Sequence, residues 1–215
     1  MAGLATLLVL TDGRLPSGGH AHSGGLEAQV SAGRVRGIDD VAGFLQGKLA
    51  TSGLVAAAFA AAACHRPTEW ARLDDGLDAR TPSPALRKAS RAQGRALLRA
   101  GRAMWQLPVI GREPHQPIAL GVLAHSAGLG PLEAAVAAAH GVTTGAASAA
   151  VRLLGLDPYS VHSLLARLAP ENDRIAADAA ARAGDPVDDL PAAGAPLLDI
   201  GAEHHATWEV RLFAS

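Results

Sequence analysis

A single cysteine, Cys64, in 215 residues leaves no partner for an intramolecular disulfide and no set of thiols for a zinc ribbon. Aromatic residues are also scarce, at 3%, although apolar residues reach 49%. A core of that size with few rings must close by near approach of small side chains. Helices allow this more readily than sheets rich in Val, Ile and Tyr, so the expected fold is all-α. No sign of charge dominates either. A net charge of -1 argues against general attraction to nucleic acid or to an anionic membrane. The first apolar run, Leu4 to Leu10, has no basic residue ahead of it, unlike a secretory leader. The longest stretch free of charged residues and of histidine, Leu49 to Cys64, falls short of the ~18 apolar residues a spanning helix needs and reads as a buried core helix. One domain in a reducing cytoplasm fits these features.

Glycine, by contrast, is concentrated. Asp12 to Glu27 reads DGRLPSGGHAHSGGLE, with Gly13, Gly18, Gly19, Gly24, Gly25 and Pro16. Such density marks a loop, and its Pro-x-Gly-Gly turn holds the chain in an unusual path. His20 and His22 offer two imidazoles to a metal, but no third ligand lies nearby in sequence. The Lys-Ser/Thr pair that completes a phosphate-binding P-loop is missing, and no G-x-S-x-G elbow accompanies Ser17 or Ser23. A tight connection between helices is the simplest reading of the residues alone.

The rest of the chain reads as successive helices. Leu26 to Ala32 follows the loop, and Asp39 and Asp40 open a long helix to about Cys64, the expected centre of the fold. Trp70, Leu73 and Leu77 mark a short helix ending near Arg80, and Ser83-Pro84 starts another that runs to about Trp105. That helix holds Arg87, Lys88, Arg91, Arg95, Arg99 and Arg102 with no acid between Asp78 and Glu113. The arginines stand three or four apart and form one basic stripe, either solvated or suited to carboxylates or phosphates. Ser90 and Gly94 on the same helix would admit a close helix neighbour. Prolines fill 107–117, and two helices follow around Gly128 to Gly130. Gly141 to Gly145 is expected to kink the second of them, and Pro170 to break the next, Tyr159 to Ala183. His115, His125 and His140 share no turn and read as satisfied or solvated. Residues 184–196 carry Asp185, Asp188, Asp189 and three prolines, the composition of an extended or mobile linker. The final segment, PLLDIGAEHHATWEVRLFAS, is apolar enough to dock. Its Glu203, His204, His205 and Glu209 lack the H-E-x-x-H spacing of a hydrolytic zinc site. The expected architecture is a helical bundle of roughly eight to ten helices over residues 1–183, with 184–215 as linker and docking tail.

Four segments together resemble one family. Leu15-Pro16-Ser17-Gly18-Gly19, His22-Ser23-Gly24 and Gly25-Leu26-Glu27 are similar to the N-terminal signature of the urease accessory protein UreF family, with His20 where that family usually has an aromatic residue. Ser90, Gly94 and Arg95 resemble a second segment, and Ser148, Arg152 and Leu153 a third, where Asp157-Pro158-Tyr159 replaces the usual glutamine. Pro196, Leu198, Asp199, Ile200, His205, Arg211, Leu212, Phe213 and Ser215 match the C-terminal signature. The resemblance implies an all-helical homodimer that catalyses nothing and holds no cofactor. It would act in nickel insertion into apo-urease, bridging the accessory protein UreD (UreH) and the nickel-carrying GTPase UreG. The positions it implies for partner binding are Pro16, Gly18, Gly19, His22, Ser23, Gly24, Leu26, Glu27, Arg95, Asp199, Ile200, His205, Arg211, Leu212 and Phe213. Two other readings stay open on the residues alone. One is a metal-dependent hydrolase built from His20, His22 and the C-terminal histidines, and the other is a helical regulatory module whose arginine stripe holds an acidic partner.

Overall fold

The computed structural model describes residues 3–215. Among these, nine helices and no strand are present. They are α1 (Leu4–Thr11), α2 (Leu26–Ser31), α3 (Ile38–His65), α4 (Trp70–Ala79), α5 (Pro84–Arg102), α6 (Gln116–Ser126), α7 (Pro131–Leu154), α8 (Pro158–Ala181) and α9 (Pro196–Ala206). Met1 and Ala2, part of the stretch read for a leader, lie outside the described residues.

Helix α3 is the centre. Ala57 to Cys64 are buried, and this half packs against α6, α7 and α8. At Gly121 of α6 an added Cβ would collide with the Ala60 carbonyl oxygen and stand 2.7 Å from the Ala63 Cβ. Backbones this near leave no space for a larger side chain, so glycine and alanine provide the close packing that rings provide elsewhere. By length and composition α3 and α7 would also pass as membrane spans, but 61% and 56% of their apolar stretches are buried inside the molecule.

Two apolar clusters make up the core. Phe59, Leu73, Leu123 and Ile175 belong to one, and Leu26, Val41, Leu45, Leu164 and Phe213 to the other. Helix α3 passes between them through a π-type turn at Leu49–Gly53, which the residue pattern did not foretell. Helix α7 makes the same passage, with Ala134 and Ala138 in the first cluster and Ala146 and Ala150 in the second. The weak spot expected at Gly141 to Gly145 does not break the helix, because α7 runs through it. Thr143 and Thr144 return their hydroxyls to the carbonyls of Ala139 and His140, and both glycines face open space. Pro170 likewise lies inside α8 instead of ending it. The carbonyl it leaves without a donor belongs to Ala166, and both residues are exposed, so water serves that oxygen.

Helix α5 starts as expected, with the Ser83 hydroxyl accepting from the Leu86 amide at 3.1 Å. The small-residue face at Ser90 and Gly94 receives a loop, not the expected helix, since a Cβ on Gly94 would collide with the Pro114 carbonyl oxygen. That approach buries His115, whose amide donates to Asp74 at 2.7 Å and whose ring lies 2.6 Å from Asp78 and 3.0 Å from Ser90. Burial lowers the His115 pKa despite the raising effect of Asp78, so the ring is a neutral structural group. The stretch after α8, expected to be extended or mobile, instead turns, with a 3-10 segment at Val187–Asp189, and it is held. Arg80 donates to the carbonyls of Val187, Leu190 and Pro191, Arg66 donates to that of Asp185, and the Val187 and Leu190 side chains are buried.

Candidate partner-docking site

The two signature segments, at opposite ends of the chain, meet. Glu27, in the first turn of α2, has a buried carboxylate that accepts from His205 Nε2 at 2.8 Å, from the Leu212 amide at 2.8 Å and from the Phe213 amide at 3.0 Å. Ser23, fully buried, donates its hydroxyl to the Ser215 carbonyl at 2.8 Å, and its amide donates to the same oxygen at 2.6 Å. The Ser23 hydroxyl also accepts from the Glu27 amide at 3.2 Å, which links both anchors. His22 Nδ1 lies 2.7 Å from the Ser215 hydroxyl, and the Ala214 amide donates to the Ala21 carbonyl at 2.7 Å. The tail thus runs beside the loop as an added backbone layer, pinned by one carboxylate and one hydroxyl.

Two glycines let the loop turn beneath this layer. Gly24 and Gly25 have φ of 63° and 91°, in the left-handed region, and a Cβ on Gly25 would lie 3.3 Å from Leu198 Cδ2. Lys48, just before the π-type turn, donates to the Gly24 carbonyl at 2.9 Å, and burial pushes its ammonium down to about 8. Helix α9 is held at a second point. Glu203 accepts from the Ser83 hydroxyl and from the Ala85 amide at 2.9 Å, placing a carboxylate at the N-terminus of α5. Asp199, one turn earlier, has its pKa raised by burial and by nearby Glu203. Phe213 is buried beneath the Arg152 guanidinium, which stands 4.6 Å from the ring centre.

Burial raises the Glu27 pKa, but the bonds from Leu212, His205 and Phe213 outweigh it and hold the carboxyl below its ordinary value. Burial and neighbouring His20 lower His22. The junction borders a cavity of about 790 Å³, whose wall also includes Lys48, His140, Gly141 and Gly145.

The residues singled out in the sequence divide into three groups. His22, Ser23, Gly24, Leu26, Glu27, His205, Leu212 and Phe213 come together at the junction, and Asp199 lies beside it. Ile200, Arg211 and Pro16 are exposed, and Gly18 and Gly19 form the outer turn of the loop. Arg95 is apart from them, paired with Glu113. Three of the histidines a hydrolytic site would recruit are engaged otherwise, His22 with Ser215, His205 with Glu27, and His204 edge-on to Trp208 at 5.5 Å, while His20 is exposed. Among the described residues, no three His, Cys, Asp or Glu side chains cluster closely enough to hold a metal ion. Lys48, Ser83 and Glu203 also belong to the junction; the sequence marked Ser83 only as a helix start and Glu203 only as a candidate metal ligand, and did not mark Lys48.

Comparison with known proteins agrees with the motifs. A family model for UreF matches residues 35–169. Over the full length of both chains, the protein is 45% identical to the urease accessory protein UreF of Mycobacterium sp. strain JLS and 45% identical to that of Mycolicibacterium vanbaalenii. It is 39% identical, again over full length, to the UreF of Mycobacterium tuberculosis strain H37Rv. Both halves of the junction lie outside the matched 35–169 stretch but inside these full-length comparisons. The chain belongs to the UreF family of urease accessory proteins.

Proposed function

We propose that this chain is a non-catalytic adaptor in urease maturation, working as a homodimer in the cytoplasm. It bridges a UreD/UreH-type accessory protein and the nickel-carrying GTPase UreG, so that nickel passes as cargo to apo-urease. The observation that carries the reading is the junction itself. Its side chains spend their hydrogen bonds on holding the tail, Glu27 on His205, Leu212 and Phe213, and Ser23 on Ser215, which suits a docked segment that presents its outer face to a partner.

The exposed side of the tail supports the same reading. Leu197, Ile200, Val210 and Leu212 are 58%, 66%, 89% and 52% exposed, while the inner face of the tail is occupied by Glu27 and Ser23. An apolar row on the outside of a docked segment suits a protein partner. The UreD-type protein covers this row, and UreG meets the outer turn of the loop at Gly18 and Gly19.

Co-purification with the UreD-type and UreG-type proteins of the same source tests this. Ile200→Asp with Leu212→Asp should remove the UreD-type protein, as should truncation after Asp189. Gly19→Phe should weaken UreG binding alone, because an added Cβ there meets nothing closer than the Ser17 hydroxyl at 3.8 Å. Unchanged complexes with all these variants would overturn the assignment of faces. An unmodified chain that joined neither protein would overturn the adaptor role. Sedimentation of the isolated chain as a monomer at micromolar concentration would remove the homodimer.

A further inference from the structure

Helix α5 carries a second surface that the junction does not use. Lys88, Arg95, Arg99 and Arg102 are exposed, and at about 100° per residue they fall within roughly 60° of one another. At 1.5 Å per residue the stripe is about 21 Å long. The opposite face is committed to the core, with Gly94 under the 114–115 backbone and Gly101 against Leu123.

The chain's own acids reach only part of this stripe. Arg91 pairs with Asp74 at 2.8 Å and with Asp78 at 3.0 Å, and Arg95 pairs with Glu113. Among the described residues Lys88, Arg99, Arg102 and Arg112 form no ion pair. Arg99 and Arg102 gain something from the C-terminal end of the helix. Lys88 near the other end does not, and the cations one turn apart repel. Beside the C-terminal end of the stripe stand Val109, 95% exposed, and Met104, 38% exposed.

We infer that this face docks an acidic protein surface, whose carboxylates pair with Arg99 and Arg102 and whose apolar side chains cover Met104 and Val109. The proposal rests on the adaptor reading and adds the chemistry of one further contact. Charge complementarity argues for it, and the helix shows the pattern. Glu113 already sits on Arg95, one turn before Arg99, and incoming carboxylates would continue that row. Forked guanidinium groups suit carboxylates. Nucleic acid is disfavoured because its bases need exposed rings between the cations, and the exposed neighbours here are aliphatic.

The test is fluorescence anisotropy on the intact chain with two probes, a labelled Asp/Glu-rich peptide and a single-stranded DNA of equal charge. The peptide should bind more tightly than the DNA, and Arg99→Glu with Arg102→Glu should weaken it about tenfold or more. Arg99→Lys with Arg102→Lys should retain most of the affinity, and binding should fall steeply as salt rises. Equal peptide affinity in the reversed-charge variant, or tighter binding of the DNA, overturns the proposal. In the reconstituted assembly the reversed-charge variant should lose one partner and keep the others. Retention of every partner by that variant also overturns it. Failure of the unmodified chain to assemble would count against the adaptor reading, while the peptide measurement would still decide this surface.

Discussion

The alanine core and the loop–tail junction hold together by opposite means. Around Gly121 the backbones of α3 and α6 touch through glycine and alanine, and among the described residues the one polar side chain that joins them is His125, 3.0 Å from the Cys64 carbonyl. At Glu27 a single buried carboxylate collects a ring nitrogen and two amides from a segment far along the chain. The first contact depends chiefly on volume. The second depends on charge and hydrogen bonding, so it can open while the core remains closed.

The largest expected effect lies in the core. Gly121→Ala should destabilise the whole fold by about 3 kcal/mol or more, because the new methyl meets a backbone oxygen that no rotamer can move. Helix propensity alone would favour alanine by about 1 kcal/mol, so the sign of the change decides whether the close approach is real. Denaturant unfolding followed by circular dichroism measures it, and a stabilised variant would refute the close approach of α3 and α6.

Glu27→Ala should act next, and locally. It removes the acceptor of two amides and one imidazole, at about 1–3 kcal/mol for each donor left without a partner. The tail releases to water before that full cost is reached. Limited proteolysis should therefore cut within 206–215 much faster, while the main unfolding transition shifts little. Glu27→Gln keeps an acceptor oxygen and should lie between. Equal protection of the tail in Glu27→Ala would mean that Phe213 and Ser215, not the carboxylate, hold it.

Much of the core was legible in the sequence, because alanine-rich periodic stretches can pack only as helices with close neighbours. The breaks were less so. Gly141 and Pro170 look like interruptions by propensity, but glycine costs the helix no hydrogen bond, and the one carbonyl Pro170 leaves, that of exposed Ala166, is open to solvent. The real irregularity, at Leu49–Gly53, lies where α3 moves from one cluster to the other, and that is a property of the assembled fold. At the site, Glu27 and His205 each stood out within a motif. Their contact spans 178 positions, and no spacing rule reaches that far. The arginine stripe was readable as a pattern, but Arg87 and Arg91 proved to be taken by the chain's own carbonyls and carboxylates.

Acid should separate the two regions without mutation. The Glu27 pKa is lowered in the folded chain, so its contribution is full above the ordinary value of 4.5 and is lost as pH falls through the lower folded value. His22 and His115 are also lowered by burial, so the unfolded chain takes up their protons first as pH falls below 6.5, which weakens folding in the same direction. His22 touches the tail directly through Ser215, so tail protection should decline first. Hydrogen exchange between pH 7 and pH 4 should then show the Leu212 and Phe213 amides opening while Ala57 to Cys64 stay protected. Simultaneous opening of both would erase the contrast.

The smallest effect is expected at Arg152. Its guanidinium covers the Phe213 ring from the solvent side, an exposed cation–π contact worth about 0.5–1 kcal/mol. Arg152→Gln leaves the ring in its apolar seat among Leu26, Leu45 and Leu164, so tail cleavage should quicken only severalfold. Combining it with Glu27→Ala sharpens the comparison. If the tail docks as one unit, the second substitution adds almost nothing once Glu27 is gone, because Phe213 has already left its seat. If the two effects simply add, Phe213 stays seated without the carboxylate, and the apolar anchor and the polar one work independently.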